Sequence, residues 1–428
     1  MKSNWYVKAY ALFVSILFCI TAWSSVIVTS MTDDYELPSS LNIDMSVEDC
    51  LMKRLSIREF TRKPVPDELL ATVLWAAYGL REDKLRTVNP IDGTHSVVLY
   101  VLKHDAVYTY DPLNHSLVFY KDEDYRDIAG WQYEAPIQLG LAWDLNKSSD
   151  DDITAAEMGE IGQNICFAAT ALGLGTVVTG ERPSPLDLVG LPSNHVGGIV
   201  MPLGYPENSP DFRYRPRWLS LLPRIRCSGM DFSTALNERT EATSFGGSLT
   251  RQEISHLIWA SYGFSYYLEK IDREKNPIER HRTTPSAHGY YPLRVYAVTE
   301  NGVYRYIPGL VDFDKWGLPI VTFMVKIKNG DFRQEIGQAS NTSASSAPMI
   351  IIPVLDIEKT NKWDDLSSPA IRWVWYFEAG AAAHNVCLEA TALGLSSNIF
   401  APTDTETILE HLRLDDDYLP LLVVPIGS

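Results

Sequence analysis

Two stretches of the chain repeat the same succession of apolar and polar positions. Apolar residues recur at helical spacing ahead of LWAAYG (74–79) and again ahead of IWASYG (258–263). Such spacing places one apolar face on a helix, and the final glycine is typical of a helix C-terminus. Thr250 and Glu253 add a capping-box pattern at the start of the second stretch. The same amphipathic helix is therefore predicted twice.

Each of these helices is followed by the same order of elements. Alternating residues predict a strand hairpin, an Ala-Pro pair opens a further strand, and a long apolar helix precedes a last strand. The matched segments are VVLYVL (97–102) with LRVYAV (293–298), AVYTY (106–110) with GVYRY (302–306), Ala135-Pro136 with Ala347-Pro348, and NICFAATALGLG (164–175) with NVCLEATALGLS (385–396). This order predicts the α+β class: two tandem domains, each a mainly antiparallel sheet flanked by helices.

The repeat also sets the domain boundaries. The chain has 428 residues, and a single hydrophobic core rarely extends beyond about 250–300. We predict a first domain at 45–218, a linker at 219–236 and a second domain at 237–428.

Residues 1–30 belong to neither domain. Lys2 and Lys8 precede an uncharged, mainly apolar stretch at 9–28, and acidic residues follow it. About 20 apolar residues are enough to span a bilayer as a helix, and the positive flank stays in the cytoplasm. The segment is predicted to be either a signal peptide or a membrane anchor. Both alternatives place the two domains outside the cytoplasm.

The charge balance excludes one class of partner. The chain has 37 Lys and Arg against 54 Asp and Glu, which gives a net charge of −17. Such a chain repels phosphate backbones, so no nucleic-acid partner is expected. Five cysteines are too few for a disulfide scaffold, and no CxxC or HExxH spacing indicates zinc. No metal site is predicted.

Basic residues are more informative in so acidic a chain. KRLSIREF (53–60) places Arg54, Ser56 and Arg58 at alternate positions, so an extended segment presents all three on one face. Two guanidiniums and a hydroxyl suit a phosphate group. A second basic cluster, RYRPR, occupies 213–217. Judged by composition alone, such clusters are more often exposed basic surface than phosphate sites. The wider sequence pattern is needed to choose between the two.

That pattern resembles the nitroreductase family of flavoproteins. KRLSIREF, the strand opened by Ala135-Pro136 and AATALGLG (168–175) carry the resemblance, which extends over nearly all of 45–428. The second half is most similar to the azoline-forming (thiazole/oxazole) dehydrogenase branch, through RTTPSAHGYYPLRVY (282–296). Members of the family are homodimers with an FMN in each of two clefts between subunits. The resemblance implies that two fused copies form this dimer within one chain, as a pseudo-dimer that needs no homodimer.

The resemblance also implies the residues of the cofactor site. Those expected at the FMN phosphate are Arg54, Ser56 and Arg58, with Arg215 and Arg217 from the tail of the first half. Those expected around the flavin ring are Thr179 and Gly180 from the first half, and Pro285, Ser286, Ala287 and Gly289 from a loop of the second half.

The two halves have kept different parts of this site. In the second half the phosphate motif reads NERTEATSF (237–245), which keeps Arg239 but has Glu241 at the position of Ser56. A carboxylate there repels a phosphate. In the first half the ring-covering loop reads NPIDGTHS (89–96) and has lost the Pro-Ser pair. The surviving parts add up to one complete cleft, so one FMN per chain is predicted.

The function implied by the resemblance is oxidoreduction by a ping-pong mechanism. A small-molecule donor would deliver a hydride or electrons at the single flavin cleft and leave, and a small-molecule acceptor would follow. No side chain is assigned as a catalytic acid or base. The competing hypothesis is a non-catalytic pseudoenzyme that serves as an extracytoplasmic flavin-binding or assembly module.

Overall fold

A computed structural model describes residues 34–91, 93–127, 134–180, 183–210, 218–265, 281–309, 320–360 and 371–428. The expected signal peptide or membrane anchor at 1–30 lies outside the described residues. Within those ranges, no helix combines the length and the apolar composition that a membrane span requires.

The first half contains three helices and eight strands among its described residues. In chain order they are β1 (Tyr35–Glu36), α1 (Val47–Lys53), α2 (Asp67–Tyr78), β2 (Val97–Leu102), β3 (Val107–Asp111), β4 (Ser116–Lys121), β5 (Ile137–Asp144), α3 (Asp151–Ala171), β6 (Gly175–Thr176), β7 (Thr179–Gly180) and β8 (His195–Gly204).

The second half repeats this order. Its described elements are β9 (Trp218–Ser220), α4 (Phe232–Glu238), α5 (Arg251–Tyr262), β10 (Leu293–Thr299), β11 (Gly302–Ile307), β12 (Ile320–Lys328), α6 (Arg333–Gln338), β13 (Met349–Asp356), α7 (Trp373–Ala392), β14 (Ser396–Ser397), α8 (Thr405–Leu412), β15 (Tyr418–Pro420) and β16 (Val424–Gly427). The capping box of α5 is formed as predicted, with Thr250 Oγ1 accepting the N–H of Glu253 at 3.2 Å and Glu253 Oε2 accepting that of Thr250 at 2.6 Å.

The strands form two sheets of matching topology. The first runs β1-β4-β3-β2-β5-β8-β6 with β7 beside β8, and the second runs β14-β16-β13-β10-β11-β12-β9 with β15 beside β13. The pairs are antiparallel except β9 with β12, which is parallel. The predicted fold class, tandem α+β domains with mainly antiparallel sheets, is confirmed.

The segment predicted as the linker, 219–236, contains regular secondary structure. Segment 219–236 contains the end of β9, which joins the second sheet, and most of α4. Phe232 of α4 packs edge-on against Phe167 of α3, with ring centroids 5.6 Å apart. The sequence suggests a linker here because both elements are short and their partners are distant in sequence. The segment between the halves is therefore packed into both of them.

The long helices α3 and α7 cross at very close range and join the halves. A Cβ atom on Gly159 would lie 2.1 Å from the backbone oxygen of Phe377, and one on Gly380 would lie 2.0 Å from that of Ala156. The two glycines occupy matching positions of the repeat, so the contact is reciprocal, as at a two-fold axis.

Replacing Gly380 by Ala should destabilise the protein, because the added methyl group meets backbone that cannot move aside. Overpacking of this kind typically costs about 1–3 kcal/mol, so we expect the midpoint of thermal unfolding to fall by several degrees. Gly246→Ala is the control, since its Cβ would meet only the Ser428 backbone oxygen, at 3.7 Å. Equal midpoints for both variants would contradict the close crossing.

Candidate functional site

The phosphate motif begins where α1 ends. Ser46 caps this helix, its Oγ accepting the N–H of Asp49 at 3.1 Å, and Arg54 leaves it in an extended conformation with φ −56° and ψ 127°. The N–H of Ile57 donates to the backbone oxygen of Thr176 in β6 at 2.9 Å. Because side chains alternate along an extended segment, the residues on either side of Ile57 share a face.

Arg54 links the first half to the second. Its side chain is buried, and Nε and Nη2 donate to the backbone oxygen of Arg282 at 3.3 and 2.9 Å. The guanidinium of Arg282 lies 4.5–4.9 Å from the centroids of three aromatic rings: Tyr262, Phe264 and Tyr291. Cations are attracted to the faces of such rings. These contacts hold segment 281–291 against the phosphate motif.

Positive charge collects where the motif meets segment 281–291. Among the described residues, neither Arg54 nor Arg58 forms an ion pair with a carboxylate. Burial, followed by the charges of Arg54 and Arg58, lowers the pKa of His281 to about 4, and burial together with Arg58 lowers the pKa of His288. The guanidiniums are therefore the main cations here at pH 7. Two arginines without a counter-charge favour an anion.

Hydrogen bonds hold the ring-covering loop of the second half (285–289) against α7. Ser286 Oγ donates to Glu378 Oε2 at 2.6 Å and accepts the N–H of Tyr291 at 2.9 Å. The hydroxyl of Tyr262 donates to the same carboxylate. Glu378 is 1% exposed, and burial raises its pKa to about 7. Ser286 thus has a positioning role in addition to its expected place beside the ring.

In the first half, β7 (Thr179 and Gly180) contacts the same helix. Thr179 Oγ1 donates to the backbone oxygen of Val200 at 2.5 Å, which ties β7 to β8. Next to it, a Cβ on Gly180 would lie 2.7 Å from the Trp373 ring in the first turn of α7. Strand β7 and the ring-covering loop therefore both meet the N-terminal part of α7.

The expected site residues differ in exposure. Arg54, Thr179 and Pro285 are buried, Ser56, Ser286 and Ala287 are intermediate, and Arg58, Gly180 and Gly289 are exposed. Arg215 and Arg217 lie outside the described residues. The structure thus brings Arg54 and Arg58 to the segment that carries the ring-covering loop, and leaves the role of the tail arginines a prediction.

In the second cleft, which the repeat places opposite the first, the arginine of the motif is bound by groups of the protein itself. Arg239 is 2% exposed and donates to the backbone oxygen of Arg86 at 3.0 Å, as Arg54 does to that of Arg282. Its guanidinium also donates to Asn89 Oδ1 at 2.5 Å and to Glu241 Oε1 at 3.2 Å. Arg239 therefore has a carboxylate partner within the chain.

A buried network lies behind Arg239. Glu160 Oε2 accepts the N–H of Asn89 at 3.0 Å and lies 3.0 Å from His384 Nδ1, whose Nε2 lies 2.7 Å from Asn164 Oδ1. Burial raises the pKa of Glu160 and lowers that of His384, so both neutral forms are favoured. Arg239 and Glu160 therefore both have hydrogen-bond partners in the second cleft, although Arg239 Nε and Glu160 Oε1 have none among the described residues.

Three residues of the first cleft escape motif reasoning: Arg282, Glu378 and Tyr262. Superposing the halves as sequences would have revealed them, because Arg86 and Tyr78 hold the matching positions. Arg86 likewise lies over the Tyr78 ring, 4.3 Å from its centroid, and Tyr78 donates to Glu157 Oε1 at 2.7 Å. The tyrosine–glutamate contact is therefore part of the frame in both copies.

Comparison with known proteins agrees with the fold and its repeat. The model of the nitroreductase family matches residues 51–205 and 247–428. The chain therefore belongs to the nitroreductase family, as the motifs predict.

Individual relatives match one half or both. A protein of Methanocaldococcus jannaschii named as a nitroreductase is 31% identical over 157 residues, which is 32% of this chain and 79% of the relative. A solved structure from Anabaena variabilis, also named as a nitroreductase, is similar in fold over 95% of this chain and 96% of its own, with 14% identity and a TM-score of 0.65. A third, from Desulfovibrio desulfuricans, was solved in complex with FMN; it covers 40% of this chain and 91% of its own, with 20% identity and a TM-score of 0.30.

The buried Glu378 predicts a pH dependence of stability. Its pKa is raised from 4.5 to about 7 in the folded protein. At pH values between these two, the folded state therefore binds more protons than the unfolded state. Stability should then fall as the pH rises through this range. Relative to Glu378→Gln, which cannot ionise, the free energy of unfolding of the natural protein should decline by on the order of 3 kcal/mol between about pH 5 and pH 8.

Urea unfolding across that range measures the difference, and Glu358→Gln, at an exposed carboxyl, is the control. A constant difference between the natural protein and Glu378→Gln would show that Glu378 is ionised throughout.

Proposed function

We propose that this chain is an FMN-dependent oxidoreductase with one flavin cleft, formed by the phosphate motif of the first half and the ring-covering loop of the second. The observation that carries the proposal is the difference between the clefts. Arg54 and Arg58 have no carboxylate partner among the described residues, whereas Arg239 is paired with Glu241. Within the described part of the chain, the arginines of the phosphate motif thus lack a carboxylate partner in the first cleft, whereas the motif's arginine in the second cleft has one.

The residues present suit such a cofactor. Arg54, Ser56 and Arg58 would bind the phosphate, with Arg215 and Arg217 added from the tail. Thr179, Gly180 and the loop of Pro285, Ser286, Ala287 and Gly289 would surround the ring. Bound there, FMN supplies a ring that takes up electrons from one molecule and passes them to another.

The protein's own contribution is binding and orientation. Ser286 and Glu378 hold the loop in place, and the Arg282 guanidinium lies among three aromatic rings beside it. We propose that a small-molecule donor and a small-molecule acceptor use the exposed side of the cleft in turn, in a ping-pong sequence. A nucleic-acid partner and an obligate homodimer are not part of the proposal.

An extracytoplasmic location belongs to the proposal as well, since it depends on residues 1–30. Both sheets of the pseudo-dimer lie C-terminal to that segment, so they would be exported or held at the membrane surface.

The alternative is a pseudoenzyme that keeps the fold as a flavin-binding or assembly module. The observation in its favour is the second cleft, where Glu241 and the Glu160–His384 network already serve structure. A chain that has lost one cleft can retain the other for binding alone.

Ser56→Glu should close the first cleft, because it places a carboxylate two residues after Arg54, as Glu241 stands to Arg239. We expect the natural protein to hold one FMN per chain, and the variant to bind FMN at least about 100-fold more weakly, since charged hydrogen bonds worth a few kcal/mol are lost. Absorbance at 450 nm after reconstitution gives the ratio of flavin to protein.

Thr243→Glu is the matched control. It adds the same charge at the exposed counterpart of Arg58 in the second cleft, and it should leave the ratio at one. A ratio near two in the natural protein, no flavin at all, or equal losses in both variants would refute the single-cleft proposal.

Anaerobic reduction separates the enzyme from the module. For an oxidoreductase, at least one physiological type of donor should bleach the flavin band of the loaded protein, and an acceptor should restore it. If dithionite alone bleaches the band while nicotinamides, quinols and thiols all fail, the pseudoenzyme is the better description.

A further inference from the structure

Three buried ionisable side chains meet outside the contacts described above. They are Glu48 of α1, His256 of α5 and Glu389 of α7, which are 4%, 2% and 0% exposed. One ligand-forming atom of each lies within 4.8 Å of the other two. The cluster therefore joins one helix of the first half to two of the second.

Hydrogen bonds fix the charge of the histidine. His256 Nε2 accepts the backbone N–H of Arg226 at 3.1 Å, so it carries no proton. The ring proton is then on Nδ1, which donates to Glu389 Oε1 at 2.6 Å. Glu48 Oε1 likewise accepts the N–H of Ser228, at 2.6 Å. The imidazole is neutral and cannot balance the carboxylates.

The second oxygen of each carboxylate lacks a partner. Oε2 of Glu48 and Oε2 of Glu389 are buried and accept no hydrogen bond within the described part of the chain. An unbalanced buried charge is costly. The pair of carboxylates needs a positive partner.

The other copy shows that these charges are not needed to hold the chain in place. At the matching positions, Ser233 Oγ accepts the N–H of Ile43 at 2.8 Å and Thr72 Oγ1 accepts that of Leu41 at 2.9 Å. Ala168 stands at the position of Glu389. Neutral side chains therefore make the same two backbone contacts, and the ionisable set requires another explanation.

We propose that Glu48 and Glu389 bind one divalent cation through their free Oε2 atoms. Carboxylate oxygens favour hard cations such as Mg²⁺ or Mn²⁺, which keep several waters. Ser228 and His256 hold the other two oxygens, as outer partners commonly orient metal-binding carboxylates. The exposed residues 226–229 lie over the cluster, to which the N–H groups of Arg226 and Ser228 donate. The sequence predicts no metal site because the two ligands are distant along the chain and form no spacing motif.

Mn²⁺ is the probe, used with the full chain after dialysis against EDTA. We expect about one Mn²⁺ bound per chain by electron paramagnetic resonance, and a saturable rise of several degrees in the midpoint of thermal unfolding, since a ligand bound only to the folded state stabilises it. The matched variant combines Glu48→Ser, His256→Thr and Glu389→Ala, which installs the neutral set of the other copy. It should fold and bind no Mn²⁺ at this site. Glu389→Gln, a smaller change, should weaken Mn²⁺ binding at least tenfold.

Three results would overturn the proposal. The first is no saturable Mn²⁺ binding by the natural protein. The second is equal binding by the combined variant, which would place the ion elsewhere. The third is a midpoint of thermal unfolding that does not respond to Mn²⁺ but rises at neutral pH in Glu389→Gln. That result would show that the two carboxylates share a proton instead. None of these readouts depends on flavin, so the test is independent of the proposed function.

Discussion

The crossing of α3 and α7 determines where the other groups of the site lie. Gly159 and Gly380 let the two helix backbones approach to a distance that a single methyl group would prevent. Polar side chains along the same helices then reach across, as Gln163 does when its Nε2 donates to Asn385 Oδ1 and to the backbone oxygen of Thr283, both at 2.8 Å. Both clefts include residues of these two helices, so the geometry of each depends on the same helix crossing.

The two clefts nevertheless differ in charge. Arg54 and Arg239 each leave a short helix at the same point, are buried, and donate to the backbone oxygen of an arginine in the opposite half. Their remaining surroundings decide what they do. A buried guanidinium needs a counter-charge, which Glu241 provides in one cleft. In the other cleft the described residues provide none, and the proposed phosphate site rests on this difference.

The sequence was sufficient for those features that are set locally or by the repeat. Apolar spacing predicted α2 and α5, and the matched segments predicted two equivalent domains. The common face of Arg54, Ser56 and Arg58 stays a prediction. Contacts between distant segments were out of reach, because each depends on the relative placement of several elements. The pairing of β9 with β12 and the cluster of Glu48, His256 and Glu389 are of this kind. So are the aromatic contacts of Arg282, which come from two places along the chain, Tyr262 with Phe264 and then Tyr291.

Fusion of the two copies changes what one substitution can do. In a homodimer a glutamate at the position of Glu241 would appear in both clefts and neutralise both, so the site would be lost altogether. In a single chain the change affects one cleft only, and the other keeps Ser56. Once Arg239 is paired internally, the ring-covering loop of the first half is free to lose its Pro-Ser pair and to place Asn89 on the same guanidinium. The proposed flavin cleft and a cleft that holds the halves together can thus coexist in one chain, each with residues that would be unsuitable in the other.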